Sequence, residues 1–250
     1  MDLVQYAVDR GVARIALDSP HNRNALSSTL MAELDAALAS AAGDGDVRGV
    51  ELTHTGGTFC AGADLSEARE GGMAAGTGRM IALLRQIVEL PKPVVASIDG
   101  HVRAGGLGLL GACDIALAGP ASTFAFSEVR LGLAPAIISL TTLSRLGERA
   151  AARYYLTGET FDAPVAARIG LITEAADDID AATHAVLDAL RRCSPQGLRE
   201  TKPLLTRAVL ESFDANGDAL TTLSARLFGS DEAAEGMAAF LQKRPPAWAL

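Results

Sequence analysis

The stretch "VRAGGLGLLGACDIALAG", residues 102–119, follows the apolar run "PKPVVASIDG", a strand guarded by prolines. It carries Gly106, Gly108 and Gly111 at the spacing G-x-G-x-x-G, and Glu128 lies 22 positions beyond Gly106. A dinucleotide-binding turn has this spacing and wants an acidic residue about 20 positions on. It also needs a long helix after the turn, and its acid belongs at the end of the strand that follows. Between Gly106 and Cys113 there is room for only about two helical turns. The next strand, "DIALA", ends in Gly119-Pro120 with no acid. Glu128 therefore has the right count and the wrong address, and a nicotinamide dinucleotide is set aside.

A second reading asks less of the glycines. The first N–H groups of a helix have no internal partner and lie at its positive end. Glycine lets a ligand approach them without a Cβ in the way. Two turns of this kind each follow a strand: "FCAGADL" (59–65) and "AGGLG" (104–108). Two N–H donors converging on one carbonyl oxygen stabilise negative charge developing there. On composition alone, a pair of tight strand-to-helix connections fits equally well.

The bulk properties narrow the classes. The chain of 250 residues carries a net charge of −8, which argues against a nucleic-acid partner, since that would need a basic face. One anionic ligand is still accessible to a few local cations and backbone N–H groups. Cys60, Cys113 and Cys193 are scattered and read as small buried hydrophobes in a reducing compartment. No apolar run is long enough to span a membrane, so a cytoplasmic location is expected. The opening "MDLVQYAVDRGVARIALDSP" alternates, and reads as two strands about a turn at Asp9-Arg10-Gly11.

Further along, Leu26, Leu30, Leu34 and Leu38 give one apolar stripe, a helix over about 27–42. "VRGVELTHT" (47–55) is a strand. Residues 66–79 carry four glycines without periodicity and read as a loop, with a helix over roughly 80–90. From about 137 the character is almost continuous helix. Ser194-Pro195 and Ser230 are N-terminal caps. Residues 1–190 read as an α/β core and residues 191–250 as a helical region.

These segments, taken in order, resemble the enoyl-CoA hydratase/isomerase (crotonase) family along nearly the whole chain. "NRNAL" (22–26) looks like its loop beside the adenine of coenzyme A. "FCAGADL" and "GHVRAGGLGLLGACDIALAG" look like its two oxyanion turns. "FAFSEVRLGLAP" (124–135) looks like its catalytic-acid segment, and "DEAAEGMAAFLQKRPPAW" (231–248) like its C-terminal CoA-contacting helix. The resemblance implies a crotonase-like α/β fold, a repeated ββα spiral with a C-terminal helical region for oligomerisation and CoA covering. It implies that the N–H groups of Ala63 and Gly105 hold a thioester oxygen, with Glu128 as acid/base. It implies that Ala61, Asp64, Leu65 and Ser66 line bound CoA and the start of the acyl channel. Arg23 becomes a phosphate contact, and Phe240 and Lys243 match CoA-touching positions often supplied by a neighbouring subunit. A homotrimer or homohexamer is implied, with an acyl-CoA thioester as substrate, no further cofactor, no metal and no membrane or nucleic-acid partner.

One departure matters. Family hydratases use two glutamates, and the position aligned with the first is Gly108, at the substrate site. A single glutamate at Glu128 resembles the family's double-bond isomerases. The expectation is an enoyl-CoA hydratase, with a Δ3-Δ2-enoyl-CoA isomerase as runner-up and a non-catalytic acyl-CoA binder as the rival of another class. If the missing acid limits hydration, Gly108→Glu is expected to raise it.

Overall fold

The structure, a computed structural model of one chain, describes residues 2–64, 67 and 73–250, with the backbone alone for 73–75. Strands β1 (Val4–Asp9) and β2 (Val12–Leu17) form an antiparallel hairpin. Its two-residue turn puts Arg10 at φ 43° and Gly11 at φ 78°, the left-handed pair whose twist suits a tight hairpin. Helix α1 (Ser28–Gly43) is capped by Ser27, whose side chain accepts from Leu30 N at 3.2 Å. Leu30, Leu34 and Leu38 are fully buried, as the fourfold spacing requires.

The chain then lays down strands in pairs, one for each of two sheets. The first members are β3 (Gly49–His54), β5 (Val94–Ile98) and β7 (Ile115–Ala118). They join the hairpin in a six-stranded sheet, ordered β1-β2-β3-β5-β7-β10, where β10 is Glu174–Ala175. Every pairing beyond the hairpin is parallel. The five residues of β5 are all buried, the uninterrupted apolar pattern of a parallel strand covered on both faces. The second members are β4 (Thr58–Cys60), β6 (His101–Arg103) and β8 (Thr123–Ala125), parallel to one another. With the antiparallel β9 (Phe161–Asp162) they make a four-stranded sheet ordered β4-β6-β8-β9.

Helices α2 (Met73–Glu89) and α3 (Gly105–Ala112) follow β4 and β6. The helix expected from about 80 thus begins at 73, so residues 73–79 of the anticipated loop are helical; most of 66–72 lies outside the described residues. A 3-10 turn, Ser127–Leu131, follows β8. Beyond it come α4 (Ser139–Thr142), α5 (Glu148–Thr157), α6 (Ala163–Arg168), α7 (Ile179–Arg191), α8 (Pro195–Phe228) and α9 (Asp231–Leu241). Ser194 and Ser230 cap α8 and α9, accepting from Gly197 N and Ala233 N.

Helix α8 is fastened to the core from within. The buried Lys202 ammonium pairs with Asp114 at 2.8 Å and donates to the carbonyls of Ile87 and Lys92. All three of its protons are thereby used, which is what makes a buried ammonium tolerable. Val209 and Phe213 of α8 belong to the main hydrophobic core. Cys60 and Cys113 are buried, and burial pushes both thiols up to about 12. Cys193 departs from expectation by being exposed, at the end of α7. Among the described residues, no helix is long and apolar enough to cross a membrane.

Candidate active site

The C-terminal ends of the three short parallel strands β4, β6 and β8 open onto one cavity of about 480 Å³. After β4, Leu26 N donates to Gly62 O at 2.8 Å and Asp64 N to Leu26 O at 3.5 Å, with Leu26 bridged to Ala63. A parallel bridge of this kind uses the groups flanking Ala63, so the N–H of Ala63 itself faces the other way. After β6, Gly105 is the first residue of α3, where a helical N–H has no intrahelical acceptor. The two turns touch. Gly62 has φ +94°, and a Cβ on it would stand 2.9 Å from the Cβ of Ala104. A Cβ on Gly105 would stand 2.8 Å from Leu26 Cδ1. Both positions need glycine for this approach.

After β8, the 3-10 turn carries Glu128 into the cavity wall. The residue is buried, and its Oε2 has no hydrogen-bond partner among the described residues. Burial pushes the carboxyl up to about 7, against a small opposing contribution from its own backbone N–H. The turn is pinned through its main chain, since Gly132 N and Leu133 N both donate to Glu128 O. Helix α9 presses on it closely enough that a Cβ on Gly236 would lie 2.5 Å from the carbonyl of Leu131. Behind it, Tyr155 packs on Phe126 with ring centroids 4.4 Å apart and hydrogen bonds Thr142 Oγ1.

Arg23, Ala61, Ala63, Asp64, Gly105, Glu128 and Phe240 all line this cavity. Arg23 adopts φ 59°, and Asp64 accepts from Asn22 Nδ2 at 3.3 Å. Leu65 and Ser66 lie outside the described residues. Lys243 is exposed, beyond the residues that line the cavity. Gly108 is not a lining residue either: it is buried inside α3, beneath Ile138 and Leu84. Sequence reasoning missed Ile138 and Met80, and also Leu227 and Phe228 at the end of α8, which complete the apolar wall. It also missed Arg103, which lines the cavity from the end of β6. The apolar pair "II" at 137–138 was the one available signal for Ile138, and nothing local ties it to Gly108. No group of three or more His, Cys, Asp or Glu able to hold a metal occurs among the described residues.

The whole arrangement has known counterparts. The sequence profile of the family described as enoyl-CoA hydratase/isomerase matches residues 7–249. A solved structure described as an enoyl-CoA hydratase from Mycobacterium avium is 58% identical, covers 99% of both chains and superposes with a TM-score of 0.94. Another enoyl-CoA hydratase structure, from Shewanella pealeana, is 33% identical over 98% of this chain and 96% of its own, with a TM-score of 0.79. A Thermus thermophilus protein provisionally described as an enoyl-CoA hydratase is 32% identical, spanning 96% of this chain and 98% of its own length. The chain belongs to the enoyl-CoA hydratase/isomerase family, and its two-sheet α/β architecture with C-terminal helices is the crotonase fold.

Proposed function

We propose that this protein adds water across the double bond of a 2-enoyl-CoA. The observation that carries the reading is the buried Glu128 carboxyl, whose Oε2 has no hydrogen-bond partner among the described residues, in the wall of a cavity that the Ala63 and Gly105 turns also line. In this scheme the two N–H groups receive the thioester oxygen and stabilise the enolate that forms there. The Glu128 carboxylate takes a proton from water as its oxygen bonds to C3 and the C2=C3 electrons move toward the thioester. Glu128 then returns that proton to C2, and the enolate collapses to the 3-hydroxyacyl thioester. One carboxylate thus serves as base and then as acid. Arg23, Ala61, Asp64 and Phe240 hold the coenzyme, with Lys243 reaching it from a neighbouring subunit in a homotrimer or hexamer. No further cofactor enters the scheme. The names carried by the relatives support hydration.

A specific observation favours a second reading. The region of the missing acid is filled by Ile138, which leaves Glu128 as the one carboxylate to which the scheme gives a proton-transfer role. A lone carboxylate suits isomerisation, taking a proton from C2 of a 3-enoyl thioester and returning it at C4. Conjugated-thioester absorbance separates the two. Its loss on adding crotonyl-CoA supports hydration, and its gain from a 3-enoyl-CoA supports isomerisation. Flat traces with a raised melting temperature would leave a non-catalytic binder.

A further inference from the structure

Arg103 ends β6, one residue before the Ala104–Gly105 turn, and is one of the residues that line the cavity. Its guanidinium is held end-on. Nη1 donates to Thr123 O at 2.6 Å and to Val102 O at 2.9 Å, and Nη2 donates to Thr123 Oγ1 at 2.8 Å. A guanidinium has five N–H donors, and these bonds use three. The two left over, on Nε and Nη2, run parallel along one edge, the fork that fits both oxygens of a carboxylate. Among the described residues no acceptor or carboxylate engages that edge. Burial lowers the group's pKa with no acid among the described residues to offset it, yet an arginine stays charged under these conditions. A half-buried cation at a cavity wall, with two N–H donors and its charge unmatched among the described residues, can take an anion from outside the chain.

Position in the sheet says which part of a ligand brings that anion. Arg23 stands at the β4 edge, where Ala61 N donates to its carbonyl at 3.1 Å. The Arg103 side chain instead bonds to β8, two strands along in the order β4-β6-β8. Strands are about 4.8 Å apart, so roughly 10 Å separates these positions. The Ala63 and Gly105 turns, at the ends of β4 and β6, stand on the near side of β8. A thioester held between them directs its coenzyme one way and its acyl group the other. Ser127, just past β8, and Thr160, just before β9, also line the cavity.

We propose that Arg103 receives a carboxylate at the far end of the acyl group, so that the preferred substrates are CoA monothioesters of unsaturated dicarboxylic acids. This rests on the acyl-CoA reading of the cavity and narrows it. The test uses saturated esters, which can be neither hydrated nor isomerised, so binding is read apart from turnover. Calorimetry with glutaryl-CoA, pentanoyl-CoA and free CoA compares the protein with Arg103→Met and Arg103→Lys, the fold of each checked by circular dichroism. The unaltered protein is expected to bind glutaryl-CoA roughly 10–100-fold tighter than pentanoyl-CoA, as hydrogen bonds to a charged group permit. Arg103→Met brings that ratio to near one. Arg103→Lys, which keeps the charge and loses the fork, lies between, and it carries the test if the methionine variant does not fold. Equal affinities in the unaltered protein would overturn the proposal. So would a loss falling equally on both esters or on free CoA, which would assign the arginine to the coenzyme phosphates or to supporting the turn. If none of the three ligands binds, the acyl-CoA reading fails and the proposal falls with it.

Discussion

Ile138 fills the space that a side chain on Gly108 would need: its Cγ2 lies 2.7 Å from where a Cβ would stand, with Leu84 Cδ1 at 3.3 Å. The contact is locked from both sides. Thr141 Oγ1 donates to Gly108 O at 2.9 Å, and Thr142 Oγ1 donates to Ile138 O at 2.6 Å. This alters what is expected of Gly108→Glu. The substitution alone is overpacked and carries a carboxylate into an apolar contact, so it destabilises by at least about 2 kcal/mol instead of raising hydration. Pairing it with Ile138→Ala removes the nearest obstructing atom, Cγ2, and leaves Ile138 Cβ at 3.2 Å and Leu84 Cδ1 at 3.3 Å. Thermal melts should show the double variant recovering much of the loss, and crotonyl-CoA hydration should rise only in that background.

Burial of Glu128 makes a pH-dependent contribution to stability. Its carboxyl is raised from 4.5 to about 7 in the folded chain. Below the unfolded value both states are protonated and nothing is lost. As pH climbs through this window the unfolded chain releases a proton that the folded chain keeps, so stability falls. The penalty is complete above about 7 and amounts to roughly 3 kcal/mol. Glu128→Gln removes the titration. Its melting temperature should match the unaltered protein near pH 4.5 and exceed it by several degrees at pH 8. An equal gap at both pH values would mean that Glu128 does not titrate in this range.

The same carboxyl shapes the rate profile. Hydration begins with the carboxylate accepting a proton, so kcat/KM should rise with pH and level off above about 7, the raised value of Glu128. A profile flat from pH 5 to 8 would remove Glu128 as the base.

The two glycine turns make a further pair of expectations. Ala104 sits at φ 45° and ψ −116°, a region that favours glycine and costs other residues about 1–3 kcal/mol. Ala104→Gly should therefore stabilise the protein by about 1 kcal/mol in denaturant titrations. Gly62→Ala does the reverse, because φ is +94° and the added Cβ meets Ala104 at 2.9 Å. Pushing the turns apart shifts the N–H of Ala63 against that of Gly105, and a displacement near 1 Å costs roughly 100-fold in rate. Denaturant titrations on the two variants check both signs, and kinetics on Gly62→Ala check the rate loss.

The elements that could be read along the chain are those whose determinants are local. The left-handed pair Arg10-Gly11 closes the first hairpin, Ser27 caps α1, and Ser194-Pro195 opens α8. The glycine turns and Glu128 were legible because each follows a strand in a recognisable string. The small sheet was not: β4, β6 and β8 have three residues each, too few to display a period, and their pairing is set by contacts far along the chain. Ile138 meets Gly108 across 30 positions, so a motif scan can register the missing acid without finding what replaced it. The Arg103 fork was hidden likewise, because its remaining edge is defined only by where Thr123 and Val102 take the other donors. The two-turn length of α3 did bear out the argument against a dinucleotide helix.

The central claim is that Glu128 moves the proton on an enoyl thioester held by the two turns. The direct measurement is the absorbance of crotonyl-CoA with the unaltered protein and with Glu128→Gln, each shown by calorimetry to bind the ester. The account predicts steady loss of absorbance with the first and a rate at least about 100-fold lower with the second, the scale of general acid–base catalysis. Equal rates in the two proteins would contradict it.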